Sequence, residues 1–250
     1  MAQNTALCGI AERKIRMIKI LFICHGNICR SPMAEFVLRD MCSRAGLAAQ
    51  FDIASAATSS EELGNPVYPP ARRKLAEHGI GCEGKTARRI RPEDYNNYDL
   101  LIGMDDANMR NMARAFGGDP EGKLHLLLEY AGRPGEAVAD PWYTRDFEAT
   151  WRDVNAGCLG LLNVLHPQVT LDLSACRERR ELYSVLRRAM LWQDWYGENL
   201  DALHDILTGQ PYLGRSFIII LPDIDSPCRA YAERIANEFA EAGLPVEVKN

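Results

Sequence analysis

The chain has 250 residues, of which 47% are hydrophobic and 25% are charged. This is the composition of an ordinary globular protein, and the length favours two domains over one. No apolar run reaches the roughly 18 residues that a membrane span needs, and the net charge of −5 argues against direct binding of nucleic acid. We therefore expect neither a membrane nor a nucleic acid as a partner.

The start of the chain and its eight cysteines indicate the cellular environment. Residues 1–17 lack the continuous apolar stretch and the small-residue cleavage site of a secretory signal, so we expect either a frayed N-terminal tail there or a start codon assigned too early, ahead of Met17. The cysteines show no regular pairing. In a protein without an export signal, this favours reduced thiols and a cytoplasmic location.

Strands alternate with helices along residues 18–166, which predicts an α/β domain. Residues 18–23 form a β-rich run that ends at a small, polar loop, and helical spacing begins after Ser31. Ser31 and Pro32 fit the start of this helix, with the Ser31 side chain as its cap, and Gly46 fits its end. Further strands are predicted at 51–55 and 98–104, and further helices near 70–78, 106–116 and 146–165. The alternation predicts a parallel sheet flanked by helices.

A second, smaller α/β domain is predicted over residues 167–250, after His166 and Pro167 interrupt the helical pattern. Its strands are predicted at 169–173, 217–221 and near Val246, and its helices around 182–189, 197–208 and 232–239. It contains 13 Asp or Glu against 9 Lys or Arg, so this third of the chain carries most of the negative charge.

Cys24 and Arg30 stand six positions apart in the loop between the first strand and the first helix. Successive amides in such a loop, together with the helix N-terminus, form a nest that binds a tetrahedral anion. The planar guanidinium of Arg30 can hold two phosphate oxygens at once. We expect the positive potential to depress the pKa of Cys24 and to hold a thiolate, the form that attacks phosphorus. Taken alone, the pair could also be a buried strand-end cysteine and a surface cation.

The residues on either side of Cys24 and Arg30 also fit a known motif. The loop resembles the signature of the low-molecular-weight protein tyrosine phosphatases, and the resemblance covers roughly residues 18–165, including Asn27, Cys29, Ser31-Pro32 and Met33-Ala34-Glu35. In that family a late Asp-Pro followed by two aromatics supplies the acid for the leaving group, as Asp140-Pro141-Trp142-Tyr143 would here. The resemblance implies Cys24 as nucleophile, Arg30 as phosphate clamp and Asp140 as general acid, with a cysteinyl-phosphate intermediate and neither metal nor cofactor.

The resemblance also implies roles for residues that support the loop. Those expected to hold it in shape through a polar network are Asn27, Ser31, Ser55 and His78. Asp105 is expected to anchor Arg30. The loop further contains His25, Gly26, Ile28 and Cys29. His25 could simply point to solvent, whereas Cys29 could form a protective disulfide with Cys24 on oxidation.

Related chemistries on the same fold are arsenate reduction and phosphoarginine hydrolysis. The reductases need a second redox-active cysteine pair after the strand that ends at Met104, but no cysteine lies between Cys82 and Cys158. Phosphoarginine phosphatases typically carry Thr where Ile28 stands, and an apolar residue better suits an aromatic phosphomonoester. Trp142 and Tyr143 can stack on a phenol ring, so a phosphotyrosine protein is the preferred substrate.

Residues 195–209 resemble the inhibitory helix of barstar, the ribonuclease inhibitor, and the order of elements matches that family over about 168–250. The resemblance implies a barstar-like domain with a three-stranded parallel sheet. From Asp194 to Asp205 there are four carboxylates and no cation. In barstar the matching acids enter a cationic ribonuclease active site in place of RNA phosphate. The implied partner-binding residues are Trp195, Tyr196, Gly197, Asp201, His204, Asp205 and Glu238.

His204 replaces an aromatic residue of the barstar helix, which leaves the partner open. The domain could bind a barnase-like ribonuclease or another basic protein. Alternatively, the helix could be retained for folding and dock onto the phosphatase domain or onto nothing. The whole chain could also be chiefly a ribonuclease inhibitor or an immunity-type binding protein.

Overall fold

The computed structural model describes residues 17–191, 197–209 and 215–250. The elements before His166 are β1 (Ile18–Cys24), α1 (Arg30–Arg44), β2 (Phe51–Ala57), α2 (Pro69–Glu77), α3 (Asp94–Asn97), β3 (Leu100–Gly103), α4 (Asp106–Phe116), β4 (Leu124–Leu126), α5 (Pro141–Thr144) and α6 (Phe147–Leu165), with 3-10 helices at Ala48–Gln50 and Leu127–Ala131. Those after it are β5 (Gln168–Asp172), α7 (Arg179–Met190), α8 (Leu200–Gly209), β6 (Ser216–Ile220), α9 (Arg229–Glu241) and β7 (Val246–Lys249).

Strands β1 to β4 form a parallel sheet in the order β2-β1-β3-β4. Strand β1 reads as an almost continuous apolar run because helices cover both faces of the sheet. Its chain neighbour β2 lies on one side and β3 on the other, so the connections after β1 and β3 leave in opposite directions. This opens a crevice at the carboxyl ends of the two strands. Cys24 ends β1 and Asp105 follows β3, which places both at that edge.

The sheet is buried between two layers of side chains. Helices α1 and α6 pack together over one face, in a cluster that includes Phe22, Leu38 and Leu161. The other face is covered by a smaller cluster around Leu101 and Met112. Burial of these side chains, at about 1.5 to 3 kcal/mol each relative to exposure, provides the main stabilisation of the domain.

The C-terminal domain has its own sheet and its own core. Strands β5, β6 and β7 are parallel and adjacent in that order. Phe217 of β6 and Phe239 of α9 meet edge to face with ring centroids 4.8 Å apart, and Leu182 of α7 belongs to the same buried cluster. Both sheets confirm the predicted fold class. Among the described residues, no helix is long and apolar enough to cross a bilayer.

One local prediction was wrong. Ser31 was expected to cap the first helix with its side chain, but α1 already begins at Arg30 and the preceding residue is Cys29. The Ser31 hydroxyl lies instead beside the Cys24 sulfur. Pro32 does lie in the first turn of α1, and Gly46 follows the helix with φ of 71°, a conformation that glycine adopts without strain. The sequence pattern missed α3, α5 and β4, which are each too short to show a period.

Candidate active site

The loop between β1 and α1 curls around the sulfur of Cys24. Asn27 has φ of 58°, in the left-handed region that Asn tolerates better than most residues with a side chain. Its backbone N–H donates to Cys24 Sγ over 3.3 Å. Because α1 begins at Arg30, its N-terminus presents unpaired amides and a positive dipole end to the same space. The loop can therefore bind an anion next to the Cys24 sulfur.

A chain of buried polar groups fixes this loop. Ser31 Oγ lies 3.0 Å from Cys24 Sγ. The amide of Asn27 donates to Ser31 Oγ over 2.9 Å and to Ser55 Oγ over 2.7 Å, and its oxygen accepts from the Arg88 backbone N–H over 3.2 Å. All three polar side chains of this chain are essentially inaccessible to solvent. The structure thus brings together three of the four residues that the sequence assigned to the network.

His78, the fourth of these residues, does not belong to the network. It lies at the end of α2, where its ring stacks on Trp151 with centroids 3.7 Å apart. Partial burial of the ring, with Lys74 nearby, lowers the pKa of His78. The role expected for His78 rested on the family resemblance alone, because the spacing along the chain could not set this contact.

Glu35 and Lys85 extend the network, and sequence reasoning missed both. Ser55 Oγ donates to Glu35 Oε2 over 2.5 Å. Lys85 Nζ lies 2.8 Å from the same oxygen and donates to the Ser55 carbonyl over 3.1 Å. Glu35 is only 3% exposed, and Arg39 Nη2 lies 2.9 Å from its other oxygen. The one available signal was that Glu35 follows Ser31 by four residues and so shares its helix face.

Arg30 lies between two carboxylates. Its Nη1 donates to Asp105 Oδ2 over 2.7 Å, and its Nη2 lies 2.6 Å from Asp140 Oδ2. Burial alone would lower the pKa of Arg30, but the negative groups at Cys24, Asp140 and Asp105 raise it above its usual value. The guanidinium therefore stays charged at the anion nest. Asp105 is itself fixed by accepting from the Asn108 backbone N–H over 2.7 Å.

Asp140 caps the short helix α5, since its Oδ1 accepts from the Trp142 backbone N–H over 3.0 Å. Trp142 and Tyr143 are 50% and 83% exposed and follow it directly. The Trp142 ring lies 6.0 Å from that of Tyr68, a residue that sequence reasoning did not identify. These aromatic rings form an accessible apolar surface beside the Asp140 carboxylate.

The remaining loop residues face different surroundings. His25 points outward and pairs with Glu61 over 3.0 Å. A Cβ at Gly26 would lie 3.2 Å from Glu62 Cγ, so the loop passes close to that side chain. Ile28 is buried against Ala87.

Cys29 is a buried free thiol. Burial, followed by the charges of Cys24 and Asp140, raises the pKa of Cys29 to about 12. The thiol therefore stays protonated at neutral pH. The expected disulfide between Cys29 and Cys24 stays a prediction, because both residues are free thiols here.

The acidic helix α8 lies in the C-terminal domain. Asp201 and Asp205 are exposed and one turn apart. Glu198, just before the helix, is paired with Arg187 over 2.7 Å. Gly197 lies close to Ala202, since a Cβ there would be 3.2 Å from the Ala202 Cβ. Two other expected partner-binding residues, Trp195 and Tyr196, lie outside the described residues.

His204 and Glu238 differ from the simple expectation of two free partner-binding groups. His204 Nδ1 and Glu238 Oε2 are 3.1 Å apart, across the contact of α8 with α9. Glu238 is therefore already engaged within the domain, and its side chain is 19% exposed.

The family model for low molecular weight phosphotyrosine protein phosphatase matches residues 19–171, and the model for barstar, described as a barnase inhibitor, matches residues 166–242. A Bacillus subtilis relative, the low molecular weight protein-tyrosine-phosphatase YfkJ, is 35% identical over 147 residues, which are 58% of this chain and 94% of the relative. Its crystal structure superposes with a TM-score of 0.58, covering 60% of this chain and 94% of that one.

Two further relatives resemble this chain over a similar stretch of residues. A Schizosaccharomyces pombe low molecular weight phosphotyrosine protein phosphatase is 41% identical over 129 residues, covering 50% of this chain and 81% of the relative. The crystal structure of a drosophila arginine phosphatase is 28% identical with a TM-score of 0.55, covering 60% of this chain and 98% of that one. The chain belongs to the low molecular weight phosphotyrosine protein phosphatase family and continues into a barstar-family domain.

Proposed function

We propose that this protein hydrolyses phosphotyrosine in proteins through a cysteinyl-phosphate intermediate at Cys24. The observation that carries the proposal is the position of Cys24 Sγ, which receives the Asn27 N–H at 3.3 Å and lies 3.0 Å from Ser31 Oγ at the N-terminus of a helix. Such donors stabilise a negative sulfur and, in the same place, the oxygens of a phosphoryl group.

In the first step the Cys24 thiolate attacks phosphorus, a sulfur–phosphorus bond forms, and the bond to the tyrosine oxygen breaks. The loop amides and Arg30 hold the three equatorial oxygens, whose charge is spread in the transition state. The position of Arg30 is set by Asp105, at 2.7 Å. A phosphoryl group bound here would meet the guanidinium in a fixed orientation, which lowers the entropic cost of reaching the transition state.

Asp140 supplies the proton that the departing phenol oxygen needs. Its Oδ2 lies 2.6 Å from Arg30 Nη2, and a phosphate dianion would replace it on that guanidinium. The released carboxyl group, still tethered by α5, lies next to the leaving group. In the second step the ionised Asp140 takes a proton from water, the water oxygen bonds to phosphorus, and the thiolate is released.

Aromatic surface at the mouth of the site supports a phenolic substrate. The exposed Trp142 and the partly buried Tyr68 place their rings near Asp140, and such rings can pack on a tyrosyl group. Ile28 is buried against Ala87 and adds an apolar wall to the loop. The similarity to an arginine phosphatase keeps phosphoarginine as the second candidate substrate. Arsenate reduction is disfavoured because the sequence has no cysteine between Cys82 and Cys158.

Two variants test the assignment of the nucleophile and the acid. Cys24→Ser should abolish hydrolysis of p-nitrophenyl phosphate, since serine has no accessible anion at neutral pH. Asp140→Ala should slow expulsion of phenols of high pKa by about 10² to 10⁴ and affect phenols of very low pKa less. Asp106→Ala, an exposed aspartate beside the Arg30 anchor, is the matched control and should retain activity. Residual activity of Cys24→Ser within tenfold of wild type contradicts the nucleophile assignment.

The substrate class is tested separately. We expect faster turnover of phosphotyrosine peptides than of phosphoarginine peptides of the same sequence, and Ile28→Thr should shift the ratio toward phosphoarginine. Equal rates in the wild type would contradict the preference for an aromatic ester.

We also propose that the barstar-family domain binds a barnase-like ribonuclease or another basic protein through Asp201 and Asp205. The family match and the exposure of both carboxylates on one turn of α8 support this. Carboxylates that share one face of a helix attract a cationic partner by long-range electrostatics and repel acidic proteins. Docking of α8 onto the phosphatase domain through the face of Asp201 and Asp205 would hide both carboxylates and is not favoured by their exposure.

The partner proposal is tested with the full chain against a panel of barnase-like ribonucleases, by calorimetry and by inhibition of RNA cleavage. Asp205→Ala should weaken binding by about 2 to 5 kcal/mol, the usual cost of truncating one member of a buried charge pair, for which barnase with barstar is a worked example. Asp225→Ala, an exposed loop aspartate of the same domain, is the control. Binding that is absent below about 100 μM, or equal for Asp205→Ala and wild type, contradicts the proposal.

The domain boundary and the compartment are part of the same proposal. We place the phosphatase domain at 18–166 and the barstar domain at 167–250, while the N-terminal tail expected at 1–17 lies outside the described residues except for Met17. The end of α6 at Leu165, the start of β5 at Gln168 and the two separate cores support this boundary. The buried free thiols support a reducing compartment, the cytoplasm.

A further inference from the structure

His204, Glu238 and Glu241 form a compact group of potential metal ligands on the C-terminal domain, away from the phosphate loop. One ligand atom from each side chain lies within 4.8 Å of the other two. The group combines two elements, since His204 belongs to α8 and both glutamates belong to α9. The glutamates are three residues apart and therefore share a helix face.

The spacing of these atoms suits a tetrahedral ion. Zinc binds imidazole nitrogen and carboxylate oxygen at about 2.0 to 2.2 Å, so neighbouring donors around it lie about 3.3 to 3.5 Å apart. His204 Nδ1 and Glu238 Oε2 are already 3.1 Å apart. The third donor is an oxygen of the exposed Glu241, which lies within 4.8 Å of both atoms and belongs to a side chain with several rotamers.

The charges of the group also favour a cation. Across residues 17–191, 197–209 and 215–250, neither Glu238 nor Glu241 forms an ion pair with Lys or Arg. Glu238 is mostly buried, at 19% exposed, and a carboxylate in that setting is stabilised by a positive partner. A divalent ion would neutralise both carboxylates, whereas His204 alone can supply at most one charge.

We propose that His204, Glu238 and Glu241 bind a divalent transition-metal ion, with Zn²⁺ the best match. Imidazole selects zinc and its neighbours in the first transition row over magnesium or calcium, which prefer all-oxygen sites. The three side chains would fill three of the four coordination positions of a tetrahedral ion. Since the site opens to solvent at His204, the fourth position would be available to water or to a group of a bound partner. This site goes beyond both the phosphatase and the partner-binding functions.

The test is a titration of the metal-stripped full chain with Co²⁺ and Zn²⁺. Cobalt reports its ligands: a site of imidazole and carboxylates lacks the thiolate charge-transfer band that binding at Cys24 or another cysteine would produce. We expect one equivalent of Co²⁺ to bind without that band, and Zn²⁺ to displace it. His204→Ala and Glu241→Gln should each weaken this binding by about tenfold or more.

The control is His125→Ala, which removes the histidine of a two-residue His–Glu pair in the phosphatase domain and should leave binding unchanged. Both test positions are partly or fully exposed, and circular dichroism should confirm that each variant folds. The proposal is overturned if His204→Ala and Glu241→Gln bind Co²⁺ as the wild type does. It is equally overturned if the thiolate band accompanies all binding or if binding requires millimolar metal.

Discussion

Replacing Lys85 by methionine tests whether its buried ion pair with Glu35 stabilises the loop between β1 and α1. The substitution keeps an unbranched side chain, shorter by one atom, and removes its charge. Glu35 is 3% exposed and would lose its contact at 2.8 Å, while the contact with Arg39 at 2.9 Å would remain. Breaking a buried pair costs about 3 to 5 kcal/mol, and the remaining arginine places the expected loss at about 3 kcal/mol.

The measurement is urea unfolding of the phosphatase domain, followed through the loss of p-nitrophenyl phosphate hydrolysis, which reports that domain alone. With a slope of about 2 kcal/mol per molar urea, a loss of about 3 kcal/mol lowers the midpoint by about 1.5 M. Lys74→Met is the matched control. Its ammonium pairs with Glu77 and Glu148, which are 57% and 58% exposed, so we expect a loss below about 1 kcal/mol.

The double variant Glu35→Gln with Lys85→Met separates charge from packing. The amide introduced by Glu35→Gln could still accept from the Ser55 hydroxyl. No buried carboxylate would remain with one of its two cations removed, so the double variant should be more stable than Lys85→Met alone. A double-mutant cycle then gives the coupling between the two residues. A cost below about 1 kcal/mol for Lys85→Met, or single losses that simply add in the double variant, would mean that the two residues do not form a stabilising buried pair.

Two further predictions follow from perturbed pKa values. Because burial and the charge of Cys24 raise the pKa of Cys29 to about 12, only about one Cys29 in 10⁴ is a thiolate at pH 8, so iodoacetamide should alkylate Cys24 and spare Cys29 by mass spectrometry. Burial would raise the pKa of Asp119, but hydrogen bonds from the Lys123 backbone N–H and the Tyr95 hydroxyl, both 2.8 Å, lower it overall. The stability that Asp119 contributes is therefore present above the unfolded pKa and is lost as pH falls through the folded pKa. Asp119→Asn should destabilise the domain by about 1 to 2 kcal/mol at pH 7, and the difference from wild type should shrink below about pH 4.

Each of these predictions has a clear contrary result. Equal alkylation of Cys29 and Cys24 would mean that the buried thiol is accessible and ionised. A stability difference between wild type and Asp119→Asn that stays constant from pH 7 to pH 3 would mean that the carboxylate is not preferentially stabilised in the folded state.

The sequence alone determined the features that depend on neighbouring residues. The alternation of strand and helix patterns predicted both parallel sheets. This was possible because the spacing of apolar residues within a segment depends only on whether that segment is a strand or a helix. The contiguous segment from Cys24 to Arg30 predicted the anion loop for the same reason, since its amides and its helix start are built from consecutive residues.

Only the tertiary structure decided which distant side chains meet. Glu35 and Lys85 are fifty positions apart and join beneath the loop, while His78, expected there, stacks on Trp151 instead. Likewise, the packing of α8 on α9 brings His204 and Glu238 together. Two residues that were predicted to bind a partner therefore contact each other within their own domain. Such pairs are set by helix packing and by the paths of the connections. The sequence does not indicate which distant residue will form a hydrogen bond or ion pair with a given polar side chain once it is buried.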